Sequence, residues 1–587
     1  MQGKKKFDTS LQDVVYTLDV GAGLKILRVS LYVVMLLVII LIYTATQFWG
    51  LKSDEAMYYG QLGRNFSVEN GLVTKAVTPF SMSQIEEITP GANPQVKLHP
   101  ELMHAPAYPI VLSLFFRLFE AAGAQPFLME LGTRILPAEQ WIILPLNHLF
   151  TMLTGWLVFS LGKHLFYREI GFISMTLFFL SDLVWQTSIS GLNLSMAIFF
   201  SVAAFHAVVV GVRHRLEFNN YRRFWIGLTL SACCAAIAFY TRFISLAIVP
   251  GIAIYLWSIC GKFRGGTRYI LLYPLIVLVL VSPWLVRNYL ACGSPFGYTL
   301  HTALIGSPTF PDFSLLRDYE NVLSMDVITK ALKEKWVLHF SGPFDSVIPA
   351  LGGGLIMSFF VTTFFYRFTR PAVNAFRNAV GISFLCTLVL AGFFSETSIW
   401  MLRTYWSFII LYGISFFYIL LDRLDLGSRV YILGMKCFFI ALAVIPFALR
   451  ILPPHDEKPY PPYHAPIIQR VCEMMNPREV ICTDMPWATA WYGNQTSILL
   501  PKDLDQYYYV NDYKQYMAGL YFTMLTKNRP FVSELLDGSE QSWLPVVSGR
   551  IPPDFPLKAA VSLNRQDQIF ISDRDRWSTG GTQESTP

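Results

Sequence analysis

Apolar and polar positions along this chain alternate in long blocks, without the short periods of soluble helices and strands. Apolar runs of roughly 17 to 25 residues, long enough to cross a hydrocarbon core, recur through most of the chain. Their approximate bounds are 29–49, 136–161, 170–188, 192–212, 224–240, 243–259, 269–286, 348–365, 380–394, 400–421 and 430–449. That makes about eleven predicted transmembrane helices. The first run is too long for a signal segment and no small-residue cleavage site follows it, so it is expected to remain as an anchor. One further stretch, 107–119, is short and contains Arg117, and is predicted to lie on the membrane surface as an interfacial helix.

Charge fixes the orientation of this pattern. Lys4, Lys5, Lys6, Lys25 and Arg28 precede the first run, and the alternate loops 163–168, 213–223, 262–268, 367–377 and 423–429 carry Lys or Arg at both edges. Basic loops stay in the cytoplasm, so residues 1–28 form a cytoplasmic tail. Counting 107–119 as a span would reverse every later loop. Three large polar segments then fall outside: 50–135, 288–346 and 451–587. The last opens on a Pro-rich linker (Pro453, Pro454, Pro459, Pro461, Pro462), followed by a helix-like stretch at 465–475 and a strand-like one at 479–483. It is long enough to own a core, and Ser578 to Pro587 reads as a disordered tail. The expectation is a mainly α, polytopic helical membrane protein over 29–450, with a small extracytoplasmic α/β domain over 451–587.

Composition agrees with this class. The 587 residues are 53% hydrophobic and only 15% charged, which excludes an ordinary soluble domain. The net charge of +6 is spread over short loop clusters and not over one basic face, so nucleic acid is excluded as a partner.

Candidate chemistry begins at Asp54-Glu55, just beyond the first span on the outer side. A carboxylate there can act as a general base on a substrate delivered by the membrane. Capping of the following helix is the alternative for Asp54. Glu55, on a different helix face, is expected to position the loop or the acceptor. Arg242, Arg287 and Arg403 all fall where apolar segments reach the outer surface, and an arginine at that depth either grips an anion or snorkels to a headgroup.

Several segments, taken in order, carry a resemblance. They are Ser53-Asp54-Glu55-Ala56-Met57-Tyr58-Tyr59, His104-Ala105-Pro106-Ala107-Tyr108-Pro109, Tyr240-Thr241-Arg242, Ser282-Pro283-Trp284-Leu285-Val286-Arg287-Asn288, Gly293-Ser294-Pro295-Phe296, and 483–493 in the last segment. Together they resemble the membrane-embedded C-type (GT-C) glycosyltransferases, in the group of protein O-mannosyltransferases and lipid A aminoarabinose transferases. The resemblance implies inverting transfer of a sugar from a polyprenyl-phosphate donor to a glycolipid, polysaccharide or protein acceptor on the outer face of a bacterial inner (plasma) membrane, as part of the cell envelope. It implies Asp54 as base with Glu55 in support, donor phosphate binding by Arg242, Arg287, Arg403, His104 and Lys97, and substrate binding at Tyr58 and Tyr108. Many relatives have a lysine where this chain has His104, and a neutral imidazole supplies less charge.

Other signals are weaker. His99, Glu101 and His104 have spacings that permit a metal, but nothing closes the shell, so no cofactor is expected. Cys472 and Cys482 would be free to pair in an oxidising compartment. Asn65-Phe66-Ser67 and Asn494-Gln495-Thr496 are acceptor sequons. Trp487, Trp491 and Tyr507-Tyr508-Tyr509 either stack on sugars or serve as core and interfacial anchors. A transporter or flippase of lipid-linked sugars would need a midplane path of charges and repeat symmetry, which the chain does not show. A polysaccharide polymerase or ligase would rely on a later loop, and a noncatalytic binding protein would tolerate loss of Asp54.

Overall fold

The computed structural model describes residues 22–88, 96–129, 133–261, 266–320, 323–341, 351, 354–394, 399–424, 428–452, 464–527, 533, 535–538, 540–563 and 568–577. The basic residues Lys4 to Lys6, the prolines from Pro453 to Pro462 and the tail from Ser578 lie outside the described residues, as does most of the 1–28 segment.

Among the described residues nine helices are long and apolar enough to span a membrane, from Ile26–Gln47 to Arg429–Ile451. The expected span at 170–188 is instead a broken pair, Arg168–Phe179 and Asp182–Ile189, bent by 55°. Ser181 takes an extended conformation at the break, and Asp182 restarts the helix. The Phe179 carbonyl beside the break accepts the Trp185 indole N–H at 2.6 Å, as broken backbone in a span requires. Asp182 takes the Tyr43 hydroxyl of the first span at 2.6 Å and the Gln186 amide at 2.6 Å. The expected span at 348–365 is described only from Gly354, as the ten-residue helix Gly354–Thr363. Ten residues rise about 15 Å, half of a hydrocarbon core. Arg377, buried in the next span, donates to the carbonyls of Thr363 and Tyr366 and so satisfies that helix's C-terminal end.

Trp400–Arg423 is the most enclosed span, whereas the first and last spans expose Leu31, Leu41, Leu433 and Leu449 as a lipid-facing surface. The basic loops gather at one end, where Arg213 meets His164 at 2.7 Å and Lys436 meets Glu169 at 3.0 Å. All three long polar segments meet at the other.

There the helix Asp54–Ser67 packs against the amphipathic helix Ala107–Ala121. Contact is close because Gly63 lacks a side chain, since a Cβ on it would stand 2.9 Å from the Leu112 Cβ. Arg117, the residue that argued against a span, donates to Ser67 O at 2.9 Å and Phe66 O at 3.0 Å, capping the neighbouring helix.

A two-stranded ribbon pairs β1 (Val73–Thr74) with β3 (His99–Pro100). The C-terminal region forms a six-stranded sheet in the order β2-β5-β4-β6-β8-β7. Strands β4 (Val480–Thr483), β5 (Thr496–Leu499) and β6 (Gly519–Phe522) are parallel, while β7 (Ala559–Ser562) and β8 (Ile569–Ser572) add an antiparallel edge. The other edge strand, β2, is Ala76–Val77 of the first polar segment, parallel to β5. The sheet therefore incorporates chain from before residue 451. A second tie is Arg317 of the middle segment, 2.5 Å from Glu540 with both side chains buried. The third is Trp491, whose indole N–H donates to Glu139 at 2.7 Å and whose ring would lie 2.9 Å from a Cβ on Gly60 of the Asp54–Ser67 helix.

Candidate active site

A cavity of about 1690 Å³ lies between the spans and the sheet. Its polar wall begins where the first span hands over to the helix Asp54–Ser67. Ser53 occupies the N-cap position but makes no side-chain cap bond, and Asp54 and Glu55 stand in the first turn of the helix, where the Asp54 carboxylate accepts the Glu55 backbone N–H. Both Asp54 and Glu55 border the cavity. Burial raises the Asp54 pKa and the neighbouring Glu55 charge raises it further, against the backbone amide of Glu55 and the His104 ring, which lower it. A carboxylate tuned upward in this way remains an acceptor of protons closer to neutral pH.

Glu55 faces Arg242, with Oε1 3.1 Å from Nη1, and takes the Tyr59 hydroxyl at 3.4 Å. Arg242 sits in extended backbone between the helix Tyr221–Thr241 and the turn Phe243–Ala247, which aims its side chain inward. Asn193 holds it from behind, accepting from Nη1 at 2.9 Å while donating to Tyr59 Oη at 2.8 Å. Arg242 is buried and ion-paired, which replaces the snorkelling alternative.

His104 borders the cavity beside Tyr58, with ring centroids 4.3 Å apart. Its Nδ1 lies 3.1 Å from Glu101 Oε1, which also accepts the backbone N–H groups of Met103 and His104 at 2.7 Å each. Burial opposes charge on His104, but Glu101, then Glu55 and Asp54, outweigh it and raise its pKa. Three carboxylates thus favour the cation that an isolated histidine at this position would lack. Glu101 is correspondingly held below the ordinary range despite burial, by His104 and those two amides. His99 is buried on β3 with its pKa pushed down to about 4 by burial. No group of three His, Cys, Asp or Glu side chains among the described residues is arranged to hold a metal ion.

The far wall carries Arg403, buried and bonded through Nη1 to Thr187 Oγ1 at 2.8 Å and through Nη2 to Gln186 at 3.3 Å, with its guanidinium 4.4 Å from the Trp400 ring centroid. Asp182 and Gln186 of the broken span border the cavity there, and exposed Lys52 borders it too, two residues before Asp54. Beyond them the wall turns apolar, through Leu442, Ala443, Pro446 and Phe447 of the last span.

Three sequence candidates lie elsewhere. Arg287 stands behind the wall, donating to Glu101 O at 2.6 Å and Asn288 at 2.9 Å. Lys97 is exposed away from the cavity. Tyr108 is fully buried, with its hydroxyl donating to Asn147 at 3.2 Å, so it supports the helix packing. Of the aromatics considered for stacking, Trp487 alone borders the cavity, while Trp491 and Tyr507 are core residues. Cys472 and Cys482 are free, buried thiols, the former with its pKa pushed up to about 12 by burial. Asn65 of the first sequon is buried and donates to Gln61 and Val73 O, whereas Asn494 is exposed and holds Lys75 Nζ at 2.7 Å.

Lys52, Asp182 and Asn193 were missed from sequence. Lys52 adjoins the acidic pair, and Asp182 is an acid inside an apolar run, which is itself a functional signal. Asn193 gave no such signal.

No protein-family profile matches the chain, and no curated protein matches it in sequence. In three dimensions the chain shares its fold with solved structures of membrane proteins. ArnT from Cupriavidus metallidurans, in its structure bound to undecaprenyl phosphate, superposes with a TM-score of 0.55 at 12% identity, covering 95% of this chain and 99% of that one. The oligosaccharyltransferase AglB from Archaeoglobus fulgidus, in complex with an inhibitory peptide and a dolichol-phosphate, superposes with a TM-score of 0.53 at 11% identity, covering 88% of this chain and 72% of that one.

Proposed function

We propose that the protein is an integral-membrane glycosyltransferase that moves a sugar from a polyprenyl-phosphate donor to an acceptor hydroxyl, with inversion, on the extracytoplasmic face of a bacterial inner membrane. The observation that carries this reading is one cavity with three unlike walls. Asp54 is a carboxylate tuned upward at the cavity wall, Arg403 and Lys52 supply positive charge, and the last span supplies an apolar wall. A lipid-linked phosphate sugar needs all three.

In this mechanism Asp54 accepts the proton of the acceptor hydroxyl as its oxygen attacks C1 of the sugar. The bond from C1 to the phosphate oxygen breaks, and the electron pair leaves with the polyprenyl phosphate. Cations in a poorly hydrated wall stabilise that departing charge. Arg403 and Lys52 take this role, and Arg242 orients Glu55 beside the base. His104 adds a cation on the Asp54 side. The ArnT structure holds undecaprenyl phosphate and the AglB structure dolichol-phosphate, which supports a donor of this class.

The test is purified protein in nanodiscs with a panel of polyprenyl-phosphate sugars, measuring release of the lipid phosphate. Asp54→Asn is expected to lose about 100- to 10,000-fold in rate. Equal activity in the mutant, or no donor consumed by the wild type, refutes the reading.

A further inference from the structure

The helices Leu144–Leu165 and Leu194–Phe218 pack side by side through the membrane and share one accessible seam. On the first helix the accessible positions run Leu153, Trp156, Ser160 and Lys163; on the second they run Ala203, His206, Val210 and Arg213. Spacings of three and four keep each set on one helix face. Toward the cavity end the seam is apolar, with the rings of Phe150 and Phe199 5.7 Å apart across it.

Toward the other end, where the basic loops gather, it becomes polar. Ser160 Oγ lies 2.7 Å from His206 Nε2, the His206 ring is 5.9 Å from the His164 ring, and His164 Nδ1 is 2.7 Å from Arg213 Nη1. Arg213 uses Nε on Glu217 at 2.7 Å, while Nη2 has no partner among the described residues. Lys163, next to His164, is exposed. The Ser160–His206 pair lies about 7.5 Å inside the helix end at Leu165, at 1.5 Å per residue. The interfacial layer of a bilayer is about as thick, roughly 5–7 Å on each side. Polar side chains that face lipid at such a depth need a partner there.

We infer that this seam binds one anionic phospholipid of the leaflet away from the cavity. Its phosphate lies on Arg213 and Lys163, its ester oxygens on Ser160 and His206, and an acyl chain along Trp156 and Leu153. The seam matches such a lipid in order as well as in kind, since cations, hydrogen-bonding groups and apolar side chains follow one another from the helix ends inward. Basic pockets between spans hold acidic headgroups in the same way. A free phosphate ion would leave the two deeper layers unused. The inference does not depend on the chemistry in the cavity.

The experiment titrates the full chain, purified in a neutral detergent, with phosphatidylglycerol or with phosphatidylcholine of the same acyl chains, and counts bound lipid by native mass spectrometry. One phosphatidylglycerol is expected to bind about 5- to 30-fold more tightly than phosphatidylcholine, at about fivefold for each basic residue on the phosphate. Lys163→Gln and Arg213→Gln should each remove about fivefold of that preference. Lys163 is exposed, so its variant tests the phosphate contact without disturbing packing. Ser160→Ala with His206→Leu should weaken both lipids alike, because both carry the ester oxygens. Arg222→Gln with Arg223→Gln, exposed at the start of the next helix, should change nothing. Equal binding of the two lipids overturns the inference, as does a preference that survives Lys163→Gln with Arg213→Gln or that falls as far with Arg222→Gln and Arg223→Gln. Displacement of the bound lipid by an equal concentration of inorganic phosphate also overturns it, since a free anion would then be the occupant.

Discussion

Replacing Arg317 with methionine should release the middle segment from the sheet. Arg317 and Glu540 are both almost fully buried and 2.5 Å apart, and Arg317 also donates to Leu500 O at 2.8 Å and Pro501 O at 3.2 Å. Removing one member of a buried ion pair leaves the other charge uncompensated, which costs about 3–5 kcal/mol. Opening of this region should then become about 150- to 4,000-fold more frequent. Glu540→Leu alone leaves the guanidinium two carbonyl partners and should cost less. The double variant removes both charges and strands the carbonyls of Leu500 and Pro501, so about 1–2 kcal/mol should remain. The assay is limited proteolysis of the C-terminal region in nanodiscs under native conditions, where the cleavage rate follows the opening equilibrium. If Arg317→Met costs less than about 1 kcal/mol, or if the two single costs simply add in the double variant, the pair does not hold the segment in place.

The pH profile of kcat/KM should be bell-shaped. Asp54 must be ionised to take a proton, so activity rises as pH passes its elevated pKa; the His104 cation is lost as pH rises through its own raised pKa, so activity then falls. His104→Lys should shift the falling limb to higher pH, and an unmoved limb rules out His104 as its source. Arg403→Gln should raise the donor KM about 10- to 150-fold, the value of hydrogen bonds to a charged group, and an unchanged KM in steady-state assays argues against a phosphate grip there. Gly60→Val should cost about 1–3 kcal/mol by overpacking against the Trp491 ring, with a smaller cost in a Trp491→Leu background when thermal unfolding is compared.

The spans were legible because apolar length is a one-dimensional signal, and the charge at loop edges settled which polar segments share a side. Where the chain breaks inside a span, the apolar run resumes beyond Ser181-Asp182, and those two polar residues are the only mark of the 55° bend. Asp54 and Glu55 stood out by position, and Arg242 by depth. Their grouping did not, because Asn193 and Tyr59, which hold Arg242 and Glu55, have nothing distinctive in sequence. Arg287 and Tyr108 matched motifs but do not border the cavity, which only distances reveal. His104 was read as a weak substitute for lysine. Its strongest partner, Glu101, is three residues away in sequence, but Glu55 and Asp54 come from another stretch of chain, so their share of its charge could not be read from its own neighbours.

Strand β2 has one more consequence. Its two residues lie about twenty positions beyond Asp54, yet they complete the sheet of a region that begins some four hundred residues later. That region cannot be exchanged between proteins as a cassette cut at residue 451, since the cut would leave β5 without its outer neighbour. A working chimera must carry residues 76–78 with its new sheet, so the outer sheet edge and the segment that carries Asp54 are inherited, and altered, together.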